Sequence, residues 1–139
     1  MTLLRSEVVH ASIAAPPREV VAFLADVSRW TAWAPWIRFV ERTSDRQWML
    51  ETDTGRMRLR FVEPNTLGVL DHQVTLDSGL TVFNSMRVLA NADGSELVMV
   101  LFQQPSTSPT EFERDVQAVR DDVARIARAA ADAAPNARR

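Results

Sequence analysis

The stretch VVHASIAAPPREVVAFLADVSRWTAWAPWI, residues 8–37, changes its pattern along its length and decides the fold. Its β-rich opening stops at Pro16 and Pro17, two residues that end a strand and open a helix. Residues 17–26 then carry apolar side chains at helical spacing, and another turn or two follows before Pro35 closes the helical region. We therefore predict one strand followed by two short helices.

Six further strands follow this stretch, because turn residues interrupt β-rich runs at regular intervals. The runs are IRFVERT (37–43), RQWMLET (46–52), RMRLRFVE (56–63), TLGVLDHQVTL (66–76), LTVFNSMRVLA (80–90) and SELVMVLFQ (95–103). Short runs joined by turns that contain Gly, Asn or Asp are typical of an antiparallel meander.

A long C-terminal helix begins after the last of these strands. Ser108 is the predicted N-cap, Pro109 the first helical residue and Glu111 the capping-box partner. Apolar residues then recur every three or four positions over roughly five helical turns. They are Phe112, Val116, Val119, Val123, Ile126 and Ala130. The stripe predicts a helix that lies along an extended apolar surface, and a coiled-coil partner is the alternative.

Together these elements predict an α+β fold. A curved, seven-stranded antiparallel sheet would wrap around the long C-terminal helix, with two short helices between the first and second strands. No repeat or linker divides the 139 residues. We therefore expect a single domain over 1–139, with its core at about 7–131 and a frayed tail at 135–139.

The composition removes several kinds of chemistry. The chain has no Cys and no Tyr, and all sixteen of its basic residues are Arg. Thiolate nucleophiles, disulfides, cysteine-ligated zinc and lysine Schiff bases are therefore excluded. Since the two histidines, His10 and His72, lie on different predicted strands, we expect no metal site and no cofactor.

Charge and hydropathy also narrow the choice of partners. A net charge of -2 gives no overall attraction to a phosphate backbone, so we expect no nucleic-acid partner. No apolar run approaches the roughly 20 residues that a membrane span needs. We expect a cytoplasmic protein without a membrane span.

A polar couple stands out in the apolar rows of the predicted sheet. The turn Asp77-Ser78-Gly79 favours a three-residue hairpin, and counting outward from it gives the cross-strand pairs. The pairs on the apolar face are Leu76 with Leu80, Val74 with Val82, His72 with Asn84 and Leu70 with Met86. On the other face, Asp71 would oppose Ser85. A slip of one residue would turn His72 and Asn84 outward.

Three roles remain open for His72 and Asn84. A buried polar group needs a partner, so the two side chains should bond each other, a water molecule or a ligand. If they line a cavity, His72 is a candidate general acid or base near neutral pH, with Asn84 fixing its tautomer or holding a ligand oxygen. A structural pair without chemistry is the other interpretation.

The order of elements resembles the SRPBCC superfamily, also called START-like or helix-grip, in particular its polyketide cyclase/dehydrase-type branch. Residues 8–37 are similar to the family's opening: a strand, Ala-Pro, a helix with Val and Phe, an Asp, then Trp-x-x-Trp-x-Pro. The long C-terminal helix agrees, so the resemblance covers about residues 7–131. It implies a deep cavity between sheet and helix that accepts lipids, polyketides or hydroxylated aromatic molecules.

We therefore expect a protein that binds a small hydrophobic ligand in this cavity. The candidate lining residues are Trp36, Trp48, Leu59, Phe61, His72, Asn84, Met86, Val100, Phe102, Phe112 and Val116. The alternative is a cofactor-independent cyclase or dehydrase, of lyase or isomerase type, in which His72 is the catalytic acid or base. A dimeric interaction or accessory module without a ligand is the second alternative.

The tryptophan-rich segment 29–36 has its own expected layout. Stacking on nucleic-acid bases is disfavoured by the acidic net charge. We expect Trp33 in the core, Trp36 at the mouth of the cavity and Trp30 half exposed.

Overall fold

The computed structural model describes residues 1–135 and contains seven strands, two α-helices and one 3₁₀ helix within that range. The elements are, in chain order, β1 (Ser6–Ile13), α1 (Pro17–Ala25), the 3₁₀ helix (Val27–Ala32), β2 (Ile37–Ser44), β3 (Gln47–Thr52), β4 (Gly55–Phe61), β5 (His72–Leu76), β6 (Thr81–Asn91), β7 (Gly94–Phe102) and α2 (Pro109–Ala133). Except for Pro135, the expected tail at 135–139 lies outside the described residues.

The seven strands form one antiparallel sheet in the order β1-β7-β6-β5-β4-β3-β2. The meander from β2 to β7 therefore runs as predicted, and β1 adds to it beside β7. The buried core lies between this sheet and the helices. The predicted fold class is confirmed.

Helix α2 begins and packs as its sequence indicates. The Ser108 hydroxyl accepts a hydrogen bond of 3.1 Å from the backbone N–H of Glu111, which satisfies a free donor of the first turn. Five of the six residues of the apolar stripe are buried, and Val119 is half-buried. The helix thus supplies one wall of the molecule's interior.

The strand predicted over 66–76 is shorter than expected and begins only at His72. The Asn65 side chain accepts hydrogen bonds from the backbone N–H groups of Leu67 and Val69, which folds the first part of this segment into a loop. Gly68 has a φ of 75° and passes so close to β6 that a Cβ atom would meet the Val88 carbonyl oxygen. A regular strand cannot form here because both features bend the backbone.

Strand β7 presents the opposite face from the one expected. Val100 and Phe102 were expected to line the cavity. The row that packs against the core is Leu97, Met99 and Leu101. The pairing with β6 fixes this alternation, because Met99 lies opposite the buried Met86 and Leu97 opposite the buried Val88. Since both rows are apolar, hydrophobic alternation alone could not distinguish them.

Candidate functional site

A cavity of about 180 Å³ lies between the sheet and α2. Its walls come from the 3₁₀ helix and the residues after it, from the inward rows of β4 to β7 and from α2. The lining residues are Trp30, Trp33, Trp36, Met57, Leu59, His72, Val74, Asn84, Met86, Met99, Val119, Asp122 and Ile126. Ten of these thirteen are apolar or aromatic, which is typical of a pocket for an organic ligand.

His72 is the first residue of β5 and faces this cavity. Its ring is 4% exposed and makes edge-to-face contacts with Phe61 and Trp30, with ring centroids 5.5 and 6.1 Å away. Burial in these apolar surroundings lowers the pKa of His72 below its ordinary value, against a smaller opposing effect of the Leu70 carbonyl and of Asp71. The side chain is therefore neutral near pH 7.

A single hydrogen bond determines which nitrogen of His72 carries the proton. Its Nδ1 atom lies 2.9 Å from the Leu70 carbonyl oxygen. Because a carbonyl oxygen can only accept, Nδ1 is the donor and Nε2 of the neutral ring keeps a free lone pair. Among residues 1–135, no side chain or backbone group donates to Nε2. The imidazole thus offers the cavity a hydrogen-bond acceptor and a potential base.

The predicted register between β5 and β6 is confirmed. His72 lies opposite Asn84 and Val74 opposite Val82, all on the inward face. No hydrogen bond joins His72 to Asn84 within the described residues, since the histidine takes its partner from the backbone of Leu70 instead. Asn84 is half-buried, and its amide group is left to face the cavity.

Asp71 lies on the outer face, as the predicted register requires, but its side chain is buried. Its carboxylate accepts hydrogen bonds from the Met86 backbone N–H at 2.9 Å and from Arg87 at 2.8 and 3.0 Å. The bond from Arg87 is the main reason that the pKa of Asp71 is lowered. This clamp fixes the chain between Leu70 and His72.

Asp122 on α2 is a polar cavity residue that the sequence reasoning missed. Its Oδ1 atom accepts a hydrogen bond of 3.2 Å from the Trp36 indole N–H. Burial raises the pKa of the Asp122 carboxyl, although the bonds from Trp36 and Arg125 act in the opposite direction. Its position supplied a signal, because Asp122 stands three residues after Val119 on the same helix face.

The three tryptophans of segment 29–36 all line the cavity. Trp33 is buried as expected, and Trp36 is half-buried against α2. The expectation of a half-exposed Trp30 is wrong: this side chain is 5% exposed because its indole N–H donates a 2.9 Å hydrogen bond to the Leu24 carbonyl oxygen. The indole N–H of Trp33 is buried without an acceptor in the described structure.

The structure divides the eleven candidate residues into three groups. Those that line the cavity are Trp36, Leu59, His72, Asn84 and Met86. Those buried in the core without lining it are Trp48, Phe61 and Val116. Those that line a neighbouring groove, open to the surface, are Val100, Phe102 and Phe112. Val100 and Phe102 miss the cavity because they belong to the outer row of β7.

Two further classes of site were searched for among the described residues. No group of three His, Asp or Glu side chains in residues 1–135 is arranged to hold a metal ion. No helix in that range is long and apolar enough to cross a membrane.

Comparison with known proteins shows which family the sequence matches. Residues 13–88 match the model of a family described as "Polyketide cyclase / dehydrase and lipid transport". No curated protein sequence matches the chain.

Solved structures with the same fold include BexL, the di-domain ARO/CYC from the BE-7585A biosynthetic pathway, with a TM-score of 0.72 and 14% identity over 90% of this chain and 46% of BexL. DynU16, from the dynemicin biosynthetic locus, has a TM-score of 0.71 and 17% identity over 88% of this chain and 46% of its own. Ara h 8.0201 has a TM-score of 0.66 and 13% identity over 94% of this chain and 99% of its own. The chain thus spans about half the length of the first two proteins, and at these identities the likeness shows the fold alone.

Proposed function

The chain belongs to the polyketide cyclase/dehydrase and lipid transport family, and from that premise we propose that it binds a small, uncharged hydrophobic ligand in the cavity between the sheet and α2. The observation that carries this proposal is the unfilled apolar space of about 180 Å³ beside an unpaired acceptor, His72 Nε2. An apolar cavity of about 150 Å³ is enough to hold a benzene ring. The space therefore suits a compact aromatic or alicyclic group.

The polar side chains that line the cavity indicate which polar substituents the ligand ring has. The Nε2 atom of His72 calls for a ligand hydroxyl, and the Asn84 amide can donate to or accept from a second oxygen. A hydroxylated ring with a nearby carbonyl, as in lipids or aromatic polyketides, meets these requirements.

Charge also selects the ligand. Among residues 1–135, Asp122 is the only carboxylate that lines the cavity and no Arg lines it, and His72 is neutral near pH 7. A buried anion would have no counter-charge and would lie near a carboxyl group, which is strongly unfavourable. We therefore place neutral ligands ahead of fatty acids and other anions.

A pair of substitutions on β5 tests the binding site. Val74 lines the cavity, whereas its neighbour Thr75 lies on the outer face of the same strand. Val74→Phe should fill the cavity and weaken the binding of 4-ethylphenol at least ten-fold in isothermal titration calorimetry, while Thr75→Phe should leave it unchanged. Equal binding by the two variants would exclude this cavity as the site. If Val74→Phe does not fold, Asn84→Leu tests the same wall from β6.

A catalytic role is the second candidate function, and the free lone pair of His72 Nε2 favours it. A neutral imidazole can take a proton from the carbon next to a ligand carbonyl, and the electron pair of the broken C–H bond then forms the enolate. In an aldol cyclisation the enolate carbon would attack a second carbonyl of the same molecule, and the alkoxide formed there would take the proton back from the imidazolium. In a dehydration the proton would go to a hydroxyl group on the adjacent carbon, which would leave as water while the C=C bond forms, so neither reaction needs a cofactor. Asp122, whose pKa is raised, faces the same space as a proton donor.

Separating binding from catalysis requires two measurements on one variant. His72→Ala removes the base but leaves the apolar walls intact. If the protein is an enzyme, this variant should lose turnover of a poly-β-ketone substrate, whereas its affinity for 4-ethylphenol should fall only by about ten-fold, the loss of one hydrogen bond. Unchanged turnover would refute the role of His72 as base.

A further inference from the structure

A groove beside the cavity indicates that the proposed ligand has a second part, outside the cavity. We infer, on the basis of the proposed function, that the ligand is an elongated neutral amphiphile whose ring occupies the cavity and whose apolar chain leaves through the groove between β6, β7 and α2. The groove has a volume of about 400 Å³.

The groove exists because the sheet splits at this point. Strand β6 pairs with β7 from Ser85, opposite Val100, to its end. The earlier residues of β6, from Thr81 to Asn84, pair only with β5. The end of β7 pairs instead with β1, where Phe102 lies opposite Ser6. The β5–β6 hairpin therefore separates from β7, and the N-terminal half of α2 lies beside the opening.

The groove adjoins the cavity, because Asn84 on β6 and Val119 on α2 line both spaces. One of these residues belongs to the sheet and the other to the helix, and we place at them the neck through which the bound molecule passes. Trp36, which was expected at the mouth of the cavity, does not line the groove.

Apolar side chains remain exposed along this groove. The exposed fractions are 38% for Leu76, 49% for Leu80, 59% for Phe83 and 46% for Phe102. Large apolar side chains that cluster around one opening mark a surface that is covered by another apolar group. Because the groove shares Asn84 and Val119 with the cavity, the chain of the cavity's own ligand is the occupant that covers both with one molecule.

Charge indicates the nature of the ligand's outer end. Within the described part of the chain, Asp115 is the only charged residue that lines the groove, and no Arg does. Burial and the nearby Glu111 raise the pKa of the Asp115 carboxyl, which shows that negative charge is already disfavoured there. An anionic end group is therefore a poor fit, and a neutral chain is the fitting one.

A series of 4-alkylphenols tests this arrangement by isothermal titration calorimetry. 4-Ethylphenol should fit the cavity alone, whereas the chains of 4-pentylphenol and 4-octylphenol should extend through the neck. Each methylene group that becomes buried should raise the affinity about three- to four-fold. Leu80→Gln should abolish most of this gain without changing the affinity for 4-ethylphenol.

Leu89→Gln is the matched control. Leu89 is 51% exposed, much as Leu80 is, but it lies within β6 and does not line the groove. Chain-length gains that are absent in the wild type, or that survive in Leu80→Gln as they do in Leu89→Gln, would overturn the inference while leaving the cavity proposal intact. Failure of every phenol to bind would overturn both.

Discussion

The Nδ1 atom of His72 lies 2.9 Å from the carbonyl oxygen of Leu70, two residues earlier in the same chain. The residue between them, Asp71, is held to β6 by its bonds to Met86 and Arg87. The short segment before β5 is thus fixed on both sides, and the imidazole ring has its orientation set by backbone instead of by the facing Asn84. The Nε2 atom is consequently presented to the cavity in one orientation.

This bond predicts the tautomer of His72 in solution. At pH 7 the ring should be neutral, with the proton on Nδ1 and none on Nε2. Two-bond ¹H–¹⁵N correlation spectra of ¹⁵N-labelled protein distinguish the two nitrogens directly. His72→Gln identifies the resonance by its loss. A ring with its proton on Nε2 would contradict the assigned hydrogen bond and remove the proposed base.

The lowered pKa of His72 predicts how stability depends on pH. In the folded protein the ring resists protonation, whereas in the unfolded chain it takes up a proton below its ordinary value of 6.5. The unfolded state therefore binds more protons as the pH falls from about 6.5 to 5, and the folded state loses stability. The contribution of one proton cannot exceed about 1.4 kcal/mol per pH unit.

Urea denaturation at several pH values measures this slope. In His72→Gln the slope between pH 6.5 and 5 should be smaller than in the wild type. His10→Gln is the control, because His10 is exposed and paired with Glu96 on the outer face. Asp71 and Asp122, the carboxyl groups near His72, remain in both variants. They therefore do not account for a difference between the two slopes. Identical slopes in all three proteins would show that His72 is not a buried neutral group.

Asp71→Asn should destabilise the protein by about 1–3 kcal/mol, because it weakens the bonds to Arg87 and removes a buried charge partner. Arg87 is half exposed, so water offsets part of the loss. Asp53→Asn is the control: Asp53 bonds Arg38 at 2.7 Å, but both side chains are exposed. The Asp53 variant should lose much less stability by urea denaturation. Equal losses would mean that the Asp71–Arg87 pair adds no more to the free energy of unfolding than an exposed ion pair does.

The fold and the pairing of His72 with Asn84 were predicted from the sequence more accurately than the residues that line the cavity. The turn Asp77-Ser78-Gly79 was sufficient to pair His72 with Asn84, since hairpin register follows from turn length. The inward row of β7 was not predictable, because both of its rows are apolar. The pairing of β7 with β6 decides it, because Met99 lies opposite the inward Met86.

The same distinction applies to single site residues. Leu59, His72 and Met86 were expected to line the cavity from alternation alone, and they do. The burial of Asp71 was not expected, because a charged residue on an outward position is ordinarily solvated. Its actual position depends on where Arg87 lies on the next strand, which is a property of packing.

The absence of any cationic side chain from the cavity wall predicts discrimination against anions. At pH 8, 4-pentylbenzoate should bind at least ten-fold more weakly than 4-pentylphenol, which is similar in length but neutral; ten-fold corresponds to about 1.4 kcal/mol. Desolvation of the carboxylate without a counter-charge is the physical reason. Calorimetric titration of both compounds measures the ratio. Tighter binding of the benzoate would contradict the proposed neutral ligand.

The raised pKa of Asp122 can be tested on α2, which forms the wall of the cavity opposite the sheet. Because burial raises its pKa, the ionised carboxylate destabilises the folded state above that pKa, and the unfolded chain releases the proton more readily. Asp122→Asn keeps an oxygen that can accept from the Trp36 indole and removes the charge, so it should raise the melting temperature at pH 8. The gain should shrink as the pH falls, since the wild-type carboxyl is then protonated as well.

Asp121→Asn is the matched control for this experiment. It removes one negative charge from the adjacent position of α2, where the carboxylate is exposed and bonds Gln117. Its effect on the melting temperature should not follow the pH dependence of Asp122→Asn. Lower stability of Asp122→Asn at pH 8 would mean that the ion pair with Arg125 outweighs the cost of burial. The carboxyl would then be ionised at the cavity wall, and its assignment as a proton donor would fail.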